Sequence, residues 1–206
     1  MPRPTCDSKL IQIVDAALAD AATRAGDWLV CHPGCTPCCH GVFVISALDR
    51  ARLRDGLAEL DMIDPARADA LRRRVRSAMD RLSGSFPGNP STGVLWATEG
   101  PAFDAFAEAD DAPCPVLSPG TGTCDLYAHR PMTCRVFGPP VCSEGGIGHC
   151  ELCFQGATEE QILVAEMQLP PSELEDELNA EAEGESPGKT IIAFAFLDLP
   201  ACRPAR

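Results

Sequence analysis

The 206-residue chain has no apolar run near the roughly 20 residues that a transmembrane helix needs. Its first residues, Met1 to Ser8, show no basic segment followed by an apolar one, so no secretory signal is expected and a reducing, cytoplasmic setting is. No Gly-x-Gly-x-x-Gly follows a strand pattern, which leaves a dinucleotide or Rossmann-type methyl-donor site without support. Ser/His/Asp order and a metalloprotease helix motif are missing too, and there are no internal repeats. Gly184-Glu-Ser-Pro-Gly188-Lys189-Thr190 is one residue too short between its glycines for a P-loop. It also runs into Ile-Ile-Ala-Phe-Ala-Phe, which reads as extended rather than helical. Basic charge is scarce: 17 Lys and Arg stand against 30 Asp and Glu, a net charge of −13 before any thiolate is counted. Such a body repels phosphate backbones and anionic membranes, so neither nucleic acid nor a membrane is expected as a partner. The arginines between Arg67 and Arg81 spread around one helix. They read as a solvated face, with a docking patch for an acidic protein partner as the alternative.

What the chain does have is cysteine. Ten of its twelve lie between Cys31 and Cys153, in two runs. The first is Cys31-His-Pro-Gly-Cys35-Thr-Pro-Cys38-Cys39; the second is Cys114, Cys124, Cys134, Cys142, Cys150 and Cys153. Cysteine is about 6% of the residues, below the roughly 8–10% of disulfide scaffolds. In a reducing compartment, clustered cysteines read as metal ligands rather than disulfides. Thiolates are soft ligands that select zinc, cuprous copper or iron–sulfur clusters. All ten are therefore candidate metal ligands, while Cys6 and Cys202 lie far from both runs and read as ordinary thiols. Adjacent Cys38 and Cys39 diverge too much to share one tetrahedral ion comfortably. Ten thiols also exceed the four that close a zinc site. Two sites, a multi-iron cluster, or spare thiols all remain open, as do an iron–sulfur cluster, zinc or mononuclear iron, and no metal.

Arg130 and Arg135 flank Cys134. They are candidates to offset thiolate charge and donate hydrogen bonds to sulfur, with bracing of the turn before Pro131 as the alternative for Arg130. His32, His40, His129 and His149 all adjoin the cysteine runs and read as neighbours of the site rather than ligands. Tyr127, the only tyrosine, is expected in the core with its hydroxyl bonded. Gly145-Gly146-Ile-Gly148 would let backbone approach a metal closely. No catalytic residue stands out.

Apolar periodicity predicts a mainly α protein, a single helical domain with an irregular cysteine-rich centre. Ser8 to Arg24 reads as a helix capped by Ser8 and ended by Gly26. Ser46 caps a second helix with a Leu53, Leu57, Leu60 stripe, and Asp64-Pro65 starts a third along Leu71, Val75, Met79 and Leu82. Ser83 to Gly93 reads as a surface loop or hinge. Thr98 to Ala109 and Glu159 to Met167 read as short helices. Glu173 to Glu185 is an acidic helix or loose strip, and Thr190 to Leu199 is a strand or a docked segment. Along the chain this divides into an N-terminal helix (1–26), a cysteine-rich metal-binding region (27–156), and a C-terminal helix, acidic strip and apolar tail (157–206).

The most specific pattern is Cys114-Pro-Val-Leu followed by Cys124-Asp-Leu-Tyr127-Ala-His-Arg130-Pro131-Met-Thr-Cys134-Arg135. With Cys35-x2-Cys38-Cys39 it resembles the YkgJ-type family of zinc- or iron-chelating domains. That family has a Cys-x2-Cys-x2-Cys-Cys box, then a Cys-Pro-x-Leu and Cys-x-x-Tyr-x-x-Arg-Pro-x-x-Cys-Arg box. Cys35, Cys38, Cys39, Cys114, Cys124 and Cys134 carry over directly. Cys31 departs from the pattern, with three residues between it and Cys35 where the family has two. The resemblance implies metal binding, and its flagellin lysine methylase members imply an iron–sulfur cluster. The reading is a metal-binding protein carrying zinc, iron or an iron–sulfur cluster, in redox sensing, metal handling or support of a partner enzyme. Alternatives are an iron–sulfur enzyme related to those methylases and a structural zinc protein that mediates protein interactions.

Overall fold

In the computed structural model, Asp7–Ala25 forms helix α1, with Leu10, Val14 and Ala21 on its buried face. The structure describes residue 4 and residues 6–143, 145–183 and 188–197; Cys202 and most of the glycine-flanked 184–188 segment fall outside these. Cys6, not Ser8, occupies the N-cap of α1. The helix starts early because Asp7 is drawn inward to a buried partner, described below.

Ser46 caps α2 (Ala47–Ile63) reciprocally: its hydroxyl accepts the Asp49 N–H at 3.1 Å, and Asp49 accepts the Ser46 N–H at 3.5 Å. Asp64 then caps α3 (Pro65–Leu82), accepting the Arg67 N–H at 3.0 Å ahead of a proline at the first helical position. Leu53, Leu57 and Leu60 of α2 pack against Ala68, Leu71 and Val75 of α3. Into that pair plug Val116, Leu117 and Leu126 from the second cysteine run, and Ile192, Ala195 and Phe196 from the chain's end. The apolar residues of the cysteine boxes thus seat otherwise irregular loops on a helical base.

The breaker-rich stretch after α3 is more than a surface loop. It buries Phe86 and pairs β2 (Gly88–Asn89) with β3 (Val94–Leu95). Phe86 stacks on Phe194 with ring centroids 4.3 Å apart. Helix α4 (Pro101–Glu108) follows and buries Phe106. The second cysteine run carries only a 3₁₀ turn at Tyr127–His129, the short α5 (Met132–Val136), and a hairpin of β4 (Val141–Ser143) with β5 (Gly146–Gly148). Gly146 and Gly148 lie in that hairpin with open space where a Cβ would stand, so they make no close approach to anything.

Thr158 caps α6 (Glu159–Val164). The acidic strip is helix α7 (Ser172–Glu183), which buries Leu178 against the first two helices' cluster. The chain's end is both strand and docked segment: β6 (Thr190–Ile191) pairs antiparallel with β1 (Val44–Ile45), then Ile192–Phe196 turns into the core. The fold is mainly α, with an irregular cysteine-bearing centre. Among the described residues no helix is long and apolar enough to cross a membrane.

A buried ion network ties the helices to that centre. Arg52 is fully buried; its Nε donates to Asp7 at 3.0 and 3.2 Å, and its Nη1 donates to Asp49 at 2.6 Å. Asp49 also accepts the Met132 N–H at 2.9 Å, which fixes the start of α5 and hence Cys134 two residues on. Breaking one partner of a buried pair strands the other charge, at a cost of about 3–5 kcal/mol. Asp7→Ala should therefore lower the unfolding free energy read from denaturant melts by that amount; a loss under about 1 kcal/mol, the range of exposed pairs, would contradict the network's importance.

Candidate metal centre

Pro33, Gly34 and Pro37 deny the first cysteine run a continuous helix. It folds instead as two tight turns, with the Cys35 N–H on the His32 carbonyl at 2.9 Å and the Cys39 N–H on the Thr36 carbonyl at 2.8 Å. The two runs then meet through backbone. The Cys114 N–H donates to the Cys39 carbonyl at 2.7 Å, and the Gly41 N–H donates to the Ala112 carbonyl at 3.0 Å. Residues 115–125 double back on themselves: the Asp125 N–H reaches the Val116 carbonyl and the Ser118 N–H reaches the Thr123 carbonyl, both at 2.8 Å. This places Cys124 beside Cys114, and α5 adds Cys134.

Cys39, Cys114, Cys124 and Cys134 form one electrostatic neighbourhood. Burial pushes the Cys114 thiol up from about 9 to about 12, against the backbone amides of Val116 and Leu117 that point at its sulfur. Burial likewise raises Cys124, opposed by the Leu126 amide, and takes Cys134 to about 12 with Cys114, Cys124 and Asp49 adding to the rise. Cys38 and Cys39 share one hydrogen bond, which holds the Cys38 proton on and shifts Cys39 down. Amides aimed at sulfur favour thiolate, while burial and like charge oppose it. A bound cation reverses that opposition.

Cys31 lies in the electrostatic neighbourhood of Cys35, Cys150 and Cys153 instead, and Cys38 lies between the two groups, near Cys31 on one side and Cys134 on the other. Cys142 is exposed on β4, its thiol 3.9 Å from the Ser143 carbonyl. Cys6 is exposed at the head of α1. Every described cysteine is a free thiol. Among the described residues no three Cys, His, Asp or Glu side chains already stand as a metal-ligand shell.

Arg135 and Arg130 serve as braces. Arg135 donates to both Asp15 oxygens at 2.9 and 3.0 Å, to the Arg130 carbonyl at 3.2 Å, and to the Ala128 carbonyl. Arg130 donates to the Tyr127 carbonyl at 3.0 Å and lies 4.1 Å over the Tyr127 ring, though its charge still favours the Cys124 thiolate. Tyr127 is exposed rather than in the core, used as a platform for that cation. His129 bonds Glu59 at 2.9 Å, its ring packed where Gly56 leaves α2 bare: a Cβ there would sit 2.7 Å from it. His32, His40 and His149 each place Nδ1 on a backbone carbonyl at 2.9 to 3.2 Å.

Sequence reasoning missed Asp125. This buried carboxylate, next to Cys124, takes Arg67 at 2.5 Å and is also gripped by Arg74. Arg74 further donates to the Pro115 carbonyl at 3.0 Å, next to Cys114, and Arg81 holds Asp110 at 3.1 Å. Arg67, Arg74 and Arg81 on this face of α3 thus hold the cysteine loops, beyond the solvated face expected of them. The signal was the i, i+7 spacing of Arg67 and Arg74, which puts both on one side of the helix.

Thiols gathered on loops that helices hold in place are what a metal-chelating domain requires. Residues 30–141, over half the chain, match the CxxCxxCC family, described as a "putative zinc- or iron-chelating domain", and the protein belongs to that family. Neither curated proteins nor solved structures provide a match.

Because these thiols are raised in the fold, pH acts with opposite sign on metal-free and metal-loaded protein. Without metal, the stability that protonated Cys114 and Cys134 contribute is fully present below about 9 and is lost as pH climbs toward about 12, by up to about 1.4 kcal/mol per pH unit for each thiol. Metal binding displaces these protons, so affinity should rise with pH through the neutral range. Melting curves of chelated and loaded protein at pH 7 and 10 check this; parallel behaviour of the two forms would contradict it.

Proposed function

We propose that this protein carries zinc, iron or an iron–sulfur cluster on Cys39, Cys114, Cys124 and Cys134, with Cys38 beside them. The observation that carries the reading is the convergence of these four thiols from two distant runs, at the backbone bond between Cys114 and Cys39. Four thiolates fit a closed zinc site or a cluster equally well by softness. The loops are fastened to α2 and α3 by Asp125, Leu117 and Leu126, which suits a resident metal rather than passing cargo. A reducing, cytoplasmic compartment is the setting in which such clustered thiols serve as metal ligands rather than disulfides. Redox sensing, metal handling or support of a partner enzyme are the roles such a centre serves.

A second reading, an iron–sulfur enzyme related to flagellin lysine methylases, is favoured by one feature. An open cleft of about 560 Å³ runs past Met132 and Thr133, immediately before Cys134, between apolar Leu10 and Val14 and the carboxyl groups of Asp49 and Glu175. Its size falls within the range of small-molecule sites, and burial beside Asp49 raises the Glu175 carboxyl. A structural zinc protein is the third alternative.

Purification without oxygen, metal analysis and an absorption spectrum separate these readings: a brown protein holds a cluster, and a colourless one holds zinc. Cys134→Ser or Cys124→Ser should remove the central metal, because a hydroxyl is a far weaker ligand than a thiolate. Cys6→Ser should leave metal content unchanged, and equal loss in Cys6→Ser and Cys134→Ser would refute the assignment.

A further inference from the structure

The C-terminal cysteines Cys150 and Cys153 fall beyond the family match, yet they are not on a stray loop. Cys153 is fully buried, and the Cys153 N–H bonds the Cys150 carbonyl at 2.9 Å in a tight Cys-x2-Cys turn. Phe154 follows directly with φ of 59°, the one non-glycine residue with positive φ among those described. A bulky residue accepts that backbone only when its surroundings hold it there, and such strain concentrates at functional sites. What holds it is the chain just ahead of Cys31: the Phe154 N–H donates to the Trp28 carbonyl at 3.0 Å, and Phe154 packs with Ala25, Trp28 and Leu29.

That docking aims the Val30 and Cys31 amides at the Cys153 sulfur. It also brings Cys31 into the electrostatic neighbourhood of Cys35, Cys150 and Cys153, with no closed ligand shell among the described residues. The spacings, Cys31-x3-Cys35 and Cys150-x2-Cys153, both fall within those of two-turn zinc sites. The packed cluster around Phe154 is small, joining the end of α1 to Ala165 and Ile162, so a cross-link there has work to do that apolar contact does not.

We propose that Cys31, Cys35, Cys150 and Cys153 form a second, separate four-thiolate site for a divalent ion of the zinc type, distinct from the central Cys39, Cys114, Cys124 and Cys134 group. The ion ties the end of α1 to the turn before α6. Its ligand set explains the extra spacer residue after Cys31: that cysteine answers to the Cys150–Cys153 turn rather than to the central group. It likewise leaves Cys38 at the seam between the sites, near Cys31 on one side and Cys134 on the other, beside Cys39 of the central group.

The test loads the full chain, reduced and free of oxygen, with cobalt(II) or zinc, and counts bound metal and thiolate-to-cobalt absorption in three variants. Cys31→Ser alters an exposed side chain and so spares the fold; Cys153→Ser alters the buried partner; Cys134→Ser alters the central group. Cys31→Ser and Cys153→Ser should each lose one metal equivalent and its share of the absorption while the central metal stays. Cys134→Ser should keep the outer equivalent. Unchanged metal content in Cys31→Ser overturns the proposal, as does loss of all metal together in Cys31→Ser and Cys134→Ser, which would mean one shared cluster. Retention of all metal by Cys134→Ser alone would instead defeat the central assignment and leave the outer site standing.

Discussion

Thiols gathered out of water cannot all ionise without a cation among them, and that constraint organises the rest of the centre. Burial and neighbouring thiols favour the protonated forms of Cys114 and Cys134, while Cys39 gains thiolate character only through the proton on Cys38. Meanwhile amide groups are already directed at the sulfurs of Cys114, Cys124 and Cys153. Donors positioned for a charge that burial forbids are the electrostatic signature of a site completed by metal. The flanking carboxylates and guanidiniums are arranged around this point rather than in it. Asp125 is paired with Arg67 and Arg74, and Arg135 with Asp15, so the push of Asp125 on the Cys124 thiol is opposed by Arg67.

The scaffold supplies position rather than chemistry. Helices α2 and α3 contribute a conventional apolar interface on one side and a row of arginines on the other. The loops that bear cysteine bring Val116, Leu117 and Leu126 to the first and Asp125 to the second. The Arg52 network then fixes α5 by a single amide bond from Met132. Segment 114–153, with five prolines and six glycines, has little core of its own. Its order is borrowed from the helices and, on the reading proposed above, from metal, whose binding free energy is also folding free energy.

Much of the scaffold was legible in the sequence because its signals are local. Ser46 with Asp49, Asp64 with Pro65, and the leucine stripes of α2 and α3 each fall within one or two turns. The cysteine box carrying Cys114, Cys124 and Cys134 was legible as a family pattern. What was not legible depends on partners far apart in the chain. Asp7 meets Arg52 across 45 residues, and that pairing moved the start of α1 ahead of Ser8. Arg67 meets Asp125 across 58, which turned a seemingly solvated face into a clamp. Phe86 hid in a run of breakers because its stacking partner, Phe194, comes from the chain's end. The same holds for Cys150 and Cys153, whose spacing marks them as ligands but whose neighbours are set by Phe154 docking on Trp28. Cys142 lies in the same run yet on an exposed hairpin, a distinction that spacing alone does not encode.

The central claim is that thiolates alone hold the metal. X-ray absorption fine structure at the edge of whichever metal the purified protein contains measures this directly. The account predicts a first shell of sulfur at about 2.3 Å, with no nitrogen or oxygen neighbours for the protein-bound metal. A shell dominated by nitrogen or oxygen at about 2.0–2.2 Å would contradict it, for it would put histidine or carboxylate ligands where the structure gathers cysteines.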